Sequence, residues 1–413
     1  MNKQLEEFNF FDPEVLEDPF EFYQLAQEQA PVYAVPGTNI FLVTKYETIT
    51  EANKNPMLFS NDFSAMLEGR GSTDEEIKAI LAKGWPQANT LLTNDPPSHT
   101  RFRKLVNLAF SIRRVNAMED YMRDIGTELI DKFVDDGACE FMQAFAIQLP
   151  VAVIAEQLGA HRSEAATFKK WTDAFTDRLG GLATREREIE CAECVVEYQH
   201  YMHEKLESRK SNPQDDLLTD LVQARIDGEQ PLTDAELLSI VQQLMVAGNE
   251  TTTNTMTGGL LQLIRNPEQQ AMARADRSLI PNMVEEILRL ESASAGLWRI
   301  VREDTELEGV KIPQGSMLHL RYAAGNRDAE VFENPDSFDV HRKNANRQMA
   351  FGVGIHKCIG QMLSRKELNV AYNLLFDRLD NIQLAEGKND LRHVPNMLLR
   401  GLHELHITYD KAA

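Results

Sequence analysis

Cysteine is scarce in this chain: there are four in 413 residues, at positions 139, 191, 194 and 358. That is too few for a disulfide framework at this length, and a reduced, cytoplasmic compartment is expected. Basic residues are also in short supply. Lys and Arg number 43 against 64 Asp and Glu, a formal net charge of -21. Nucleic acid and anionic membrane surfaces both require a cationic footprint, so neither is expected as a partner. Long apolar runs are missing too. The best, from Phe145 to Ala155, is interrupted by Gln148 and Pro150. It falls short of the roughly 20 residues that cross a bilayer. The opening MNKQLEEFNFFDPEVLEDPF has no basic region followed by an apolar run, so no signal peptide or membrane anchor is expected. There is no internal repeat, low-complexity segment or Gly/Ser linker.

What is present reads as a large helical body with a smaller β portion built from both ends of the chain. Residues 32–44 have the alternation and the Pro36-Gly37 turn of a hairpin. Residues 114–136 and 183–209 are charged and helically periodic. Strand-like sequence returns at 305–321 around Pro313-Gln314-Gly315, and again at about 395–409 around Gly401. One helix is unusually long. Thr233 and Glu236 form a capping-box signature, and the apolar pattern continues to Arg265 before Asn266-Pro267. Its middle reads Ala247-Gly248-Asn249-Glu250-Thr251-Thr252-Thr253. A glycine, a carboxylate and three threonines are poor choices for a buried helix centre, and Thr hydroxyls can bond back onto the helix and bend it. Functional sites break local rules in this way.

Residues 351–360 read Phe-Gly-Val-Gly-Ile-His-Lys-Cys-Ile-Gly. Glycines around Cys358 allow unusual backbone angles and close approach to a bulky planar group. Such a loop can aim amide N–H groups at a thiolate. His356 and Lys357 add positive potential, and a helix from Gln361 would bring its positive end near the sulfur. A dinucleotide-binding loop fits poorly, because the third glycine of that pattern would fall on Lys357.

This segment resembles the haem-ligand loop of the cytochrome P-450 family, Phe-Gly-x-Gly-x-His-x-Cys-x-Gly, at every fixed position. The resemblance runs from Asp12-Pro13 to about Tyr409. It implies a mainly α fold with small β-sheets (α+β), as a single domain over 1–413: a β-rich portion at about 30–60, a helical body at about 95–290, and mixed strands with the haem loop at 292–409. It implies haem b, with Cys358 as the axial thiolate and Phe351, Gly352 and Gly360 shaping the loop. His99, Arg103, Arg299 and His356 match the propionate contacts, and Ala247 lies against the haem. Glu286 and Arg289 match the Glu-x-x-Arg pair, with Arg342 as third partner. In the long helix, Gly248 leaves room for dioxygen, Thr251 bonds it, and Glu250 relays protons.

The implied activity is a monooxygenase that takes two electrons from NAD(P)H through an acidic ferredoxin and its reductase. It would place one oxygen atom in a hydrophobic substrate such as a terpenoid, steroid, alkyl or aromatic compound. A haem-thiolate sensor or carrier and a peroxide-driven peroxygenase are the alternatives, and neither needs a Glu250–Thr251 relay. The pocket is expected to use Met66, Leu67, Trp85, Leu91, Leu92, Met245, Ala293, Leu297, Trp298, Met397 and Leu398. A monomer is expected. Two departures from the family pattern occur. No proline follows Arg289, and Ala293, Ala295 and Gly296 could leave room beside the haem; Gln348 replaces a frequent histidine. Cys191, Cys194, His200 and His203 superficially suggest a metal site, but a continuous helix lacks the compact turn of structural zinc sites, so they read as ordinary helix residues.

The acidity is uneven. Residues 99–114 carry Arg101, Arg103, Lys104, Arg113 and Arg114, and residues 341–366 carry Arg342, Lys343, Arg347, Lys357, Arg365 and Lys366, with no acid in either stretch. Some of these are expected to face propionates or Glu286, and the rest to form the docking patch for the ferredoxin, with Arg114 and Lys357 as its test positions.

Overall fold

The computed structural model describes residues 4–64, 73–180 and 183–412. The chain divides into two compact units. The first comprises Met1–Ser60, Glu119–Leu149 and Thr251–Ala413, the second Asn61–Met118 and Pro150–Glu250.

The first unit holds the sheets. Five strands lie in the order Val32–Ala34, Ile40–Val43, Met317–Leu320, Leu297–Val301, Phe59–Ser60. Tyr33 pairs with Leu42 in the hairpin, and Ile40–Val43 runs parallel to Met317–Leu320. Val43, Ile49, Phe59, Val301, Leu318, Leu320 and Met349 close over one another in its core. Thr305–Leu307 and Val310–Ile312 form a separate hairpin. The expected pairing around Gly401 is corrected: among the described residues this stretch forms isolated bridges, His393 with Leu402 and Ser294 with Leu399. The terminal strand His406–Lys411 pairs instead with Leu379–Leu384 and Ala138–Glu140. A Cβ on Gly401 would lie 2.4 Å from the Asn254 side chain, so this turn is pressed onto the long helix.

The second unit is helical. Its main elements are Ser98–Ala109, Ala165–Gly180 and Arg185–Ser211, the last capped by Thr184, whose hydroxyl accepts the Arg187 N–H. The stretch expected as one helix over 114–136 breaks at Met118 into Ile112–Ala117 and Glu119–Asp131. The long helix, Asp234–Arg265, runs from the second unit into the first. The capping box forms: Glu236 Oε2 accepts the Thr233 N–H at 2.8 Å, and Thr233 Oγ1 accepts the Glu236 N–H at 3.3 Å. The back-bonding expected of the central threonines is corrected: Thr252 donates to Ser364 Oγ and Thr253 to the Ala146 carbonyl at 3.0 Å, and the back-bonds come from Thr255 and Thr257 to the carbonyls of Thr251 and Thr253, each at 2.8 Å. Gly259 permits close packing beyond them, since a Cβ there would meet Tyr372 and Ile287 below 3.0 Å.

Candidate active site

In the first unit the Cys358 loop is a folded turn, not an extended strap. Gly352 and Gly354 have φ of +65° and +77°, which side chains disfavour. The Cys358 N–H donates to the Phe351 carbonyl at 2.8 Å, and the Gly352 N–H to Met349 at 2.9 Å. Cys358 stands just before the N-terminus of the helix Gln361–Arg378, whose unpaired amides favour negative charge. Arg365 of that helix covers the Phe351 ring at 4.5 Å. A Cβ on Gly354 would come within 2.7 Å of the Asn53 carbonyl, so this glycine lets the helix Tyr46–Lys54 approach the loop.

Asn53 also connects the loop to Arg299. The Arg299 guanidinium is 2% exposed and donates to Asn53 Oδ1 at 2.6 Å and to the Trp298 carbonyl at 2.7 Å. Both acceptors are neutral, and no carboxylate pairs with Arg299 among the described residues. A buried cation without a counter-ion is costly, and a propionate meets that demand. A cysteine at a helix start, glycines that admit a planar group and an uncompensated buried guanidinium together fit a haem. Gln348 has a different task. It accepts the Ala350 N–H at 2.7 Å and donates to Glu285 at 3.1 Å, bracing the segment before the loop.

Behind the loop lies a fully buried charge cluster. Arg289 donates twice to Glu286, at 2.8 Å each, and Arg342 donates to the same carboxylate at 2.9 Å. The guanidinium groups also satisfy the carbonyls of Asn326, Pro335, Ser337 and Glu333. The Asp339 N–H adds another bond to Glu286.

The long helix meets the helix after the Cys loop within the same unit: Thr252 Oγ1 donates to Ser364 Oγ at 3.2 Å. Beside them is Glu367, a residue that sequence reasoning missed. Burial pushes its carboxyl up to about 8, against a hydrogen bond from Thr252 that lowers it. Its helix neighbours Leu363, Leu368, Val370 and Ala371 are all buried, but the sequence alone does not show that Glu367 faces inward with them.

In the second unit the long helix changes character at Ala247. Met245 is buried, Ala247 is exposed, and a Cβ on Gly248 would meet nothing within 4 Å. A mid-helix stretch flanked by buried residues therefore carries open space. Asn249 is anchored by Nδ2 to Thr172 Oγ1 at 2.9 Å. Burial raises the Glu250 carboxyl; Lys169 opposes this, while Asp173 and Asp177 add to it. Lys169 is itself bound to Asp173, and Glu250 has no ion pair among the described residues. On the helix Ser98–Ala109, His99 is 2% exposed and pushed down to about 4, by burial first and then by Arg103. At neutral pH it offers a neutral ring N–H rather than a second cation.

The predicted pocket residues divide. Met66 and Leu67 lie outside the described residues. Met245 and Ala293 are buried, and Trp298 packs edge-on to His319 with ring centroids 4.1 Å apart. Leu91, Leu92, Leu297, Met397 and Leu398 keep partial exposure. Met397 and Leu398 are held against the 293–295 segment, where the Ala295 N–H donates to the Leu398 carbonyl at 2.8 Å. Trp85 stacks on His203 at 4.4 Å instead of standing free. The room expected at Gly296 is filled: a Cβ there would strike the Leu320 carbonyl at 2.4 Å. Cys191 and Cys194 are buried thiols, raised by burial. His203, Glu207 and Asp234 do converge, but Lys210 already bridges the two carboxylates.

The basic stretches are mostly compensated. Arg101 pairs with Glu236, Lys104 with Glu229, Arg114 with Asp215 and Asp220, Arg365 with Glu285, and Lys366 with Glu119. Arg347 reaches Glu47 at 3.6 Å. Among the described residues Arg113, Lys343 and Lys357 have no ion pair. Arg114, 10% exposed at its side chain and held by Asp215 and Asp220, is thus largely compensated, unlike Lys357.

A cysteine loop at a helix start, glycines that admit a planar group and an uncompensated buried guanidinium fit a haem-thiolate protein. The family model described as Cytochrome P450 matches residues 57–396. The chain is 34% identical to "Cytochrome P450 107B1" of Saccharopolyspora erythraea, over 96% of each chain. It is 32% identical to the "Vitamin D(3) 25-hydroxylase" of Pseudonocardia autotrophica, over 98% of this chain and 96% of that one. Among solved structures, CYP109E1 from Bacillus megaterium in complex with corticosterone superposes with a TM-score of 0.84 at 29% identity, covering 96% and 99% of the two chains. The chain belongs to the cytochrome P450 family. It has that family's α+β fold, binds haem b and is a monooxygenase. No helix among the described residues is long and apolar enough to cross a membrane.

Proposed function

We propose that this monooxygenase inserts one oxygen atom into a hydrophobic substrate of steroid or terpenoid type, with electrons supplied by an acidic ferredoxin. The observation that carries the reading is the helix opening at Ala247–Gly248, followed at once by Glu250, a partly buried carboxyl raised above its ordinary range by desolvation, and by Thr251. A sensor or carrier has no use for an acid–alcohol pair there. Bound haem would supply the oxygen-activating iron, which the Cys358 sulfur would hold. Arg299 and His356 in the first unit, and His99 and Arg103 in the second, are suited to propionates. Phe351, Gly352 and Gly360 shape the loop.

The protein's own residues then have distinct tasks. Glu250 relays protons towards the Thr251 hydroxyl, and Glu367, pushed up to about 8, holds a proton beside Thr252. In the second unit Leu91 and Leu92 are the apolar candidates for substrate contact; in the first, Leu297, Met397 and Leu398 are. Relatives that act on vitamin D(3) or bind corticosterone support a fused-ring substrate. The family match runs unbroken across both units, which supports a single domain over 1–413. Exposed Lys357, unpaired and next to Cys358, is the docking charge that this reading retains.

Two spectra test the proposal. The ferrous carbon monoxide complex should show a thiolate-type Soret band that Cys358→Ala abolishes; retention of the band would reject Cys358 as ligand. Titration with corticosterone, lauric acid and limonene should displace the axial water for at least one fused-ring or terpenoid ligand. A Soret band unmoved by all of them would reject the substrate class.

A further inference from the structure

The segment 84–92 contains no helix or strand, so its backbone groups have no ladder of their own. Two glutamines supply the missing partners. Gln199, on the helix Arg185–Ser211, accepts the Trp85 N–H and donates to the Trp85 carbonyl, both at 3.0 Å. Gln243, on the long helix, donates to Thr90 Oγ1 at 2.7 Å and accepts the Leu92 N–H at 3.3 Å. Between them, Ser239 Oγ accepts the Ala88 N–H at 2.9 Å. An amide side chain offers donor and acceptor together, which neither a carboxylate nor a hydroxyl does in the same geometry.

The loop is adapted to these clips. A Cβ on Gly84 would lie 2.0 Å from Gln199 Oε1, so the first clip closes only over glycine. The Trp85 ring then stacks on His203 and meets His200 edge-on at 5.1 Å, while His200 Nε2 lies 3.1 Å from the Lys83 carbonyl. Gln199 is 5% exposed, and a buried amide is costly without partners. The Trp85 backbone gives it two. Gln243 stands one helical turn before Ala247, so its clip sets Leu91 and Leu92 beside the opening in the helix.

We propose that Gln243 and Gln199 are positioning residues that determine substrate specificity, by fixing the loop that carries Leu91 and Leu92 next to Ala247–Gly248. The proposal rests on the reading that this opening faces substrate. With the clips intact, a rigid ligand meets one apolar surface; with a clip open, the loop samples several and discrimination falls.

The test uses the haem-loaded protein and four variants: Gln243→Ala, Gln243→Glu, Gln199→Ala and Gly84→Ala. The last two open the same clip from opposite sides, so they should agree. Amide exchange at Trp85 or Leu92 should accelerate by about tenfold where its clip is removed. The best-bound ligand among corticosterone, lauric acid and limonene should bind about fivefold to tenfold more weakly by Soret titration, the scale of one or two net hydrogen bonds. Weak ligands should change little, so the ranking flattens. Gln243→Glu, which keeps the acceptor and loses the donor, should fall between parent and alanine. Unchanged exchange, or faster exchange with an unaltered ranking, would overturn the proposal while the thiolate-type carbon monoxide band stays intact. Absence of that band in the parent would instead bring down the haem-thiolate reading, and this proposal with it.

Discussion

Glu286 and Glu367 are both buried carboxylates in the same unit, and they are treated in opposite ways. Glu286 is bonded by two guanidinium groups and a backbone amide. Glu367 has burial and one threonine, and its carboxyl is pushed up to about 8. Glu250, in the other unit, is partly exposed, but desolvation raises its carboxyl too, and it has no ion pair among the described residues. Where every lone pair meets a cation or an amide, a carboxylate is a fixed structural charge. Where burial dominates, the group keeps its proton within reach of neutral pH, as a proton donor requires.

Breaking Glu286's side of this contrast should have the largest effect. Arg289→Ala leaves a buried carboxylate half-paired, and stability should fall by about 3–5 kcal/mol. Chemical denaturation of the haem-loaded protein measures it; a loss near zero would mean the cluster is ornamental. The same approach at Glu367 should give an effect that appears only as pH rises. Its folded value lies above the unfolded one, so the stability associated with its proton is complete below about 4.5 and is lost as pH rises through about 8. Glu367→Gln, which cannot ionise, should match the parent at pH 5 and melt a few degrees higher at pH 9. A variant that melts lower at pH 9 would place an ionised, partnered carboxylate there. A smaller effect separates the two cations once taken together as docking charges. Lys357→Glu should slow reduction by an acidic ferredoxin several-fold at low salt without altering stability. Arg114→Glu, set against Asp215 and Asp220, should lower the melting temperature instead. Equal slowing in both variants with no change in melting would place Arg114 in the docking surface as well.

Much of this was readable in the residues. The Cys358 loop and the capping box at Thr233 depend on local chemistry, which sequence displays directly. Glu367 was not read, because a helix written with one glutamate looks the same whether that residue faces water or the interior. The compensation of Arg114 was hidden for a related reason. Its partners Asp215 and Asp220 lie about a hundred residues away, and only the fold brings them to it. The strand His406–Lys411 was read as strand, but its partners were not, since long-range pairing leaves no mark on spacing. The clips at Gln199 and Gln243 join residues more than a hundred apart and were equally silent.

The central claim is that Glu250 and Thr251 deliver protons for oxygen insertion. The direct measurement is product formed per NADH consumed, with a ferredoxin chain and a ligand that shifts the Soret band. Glu250→Gln should slow NADH use, and Thr251→Ala should divert most of it to peroxide or water, with stability and the carbon monoxide band unchanged in both. Parent-like rates and coupling in both variants would contradict the account.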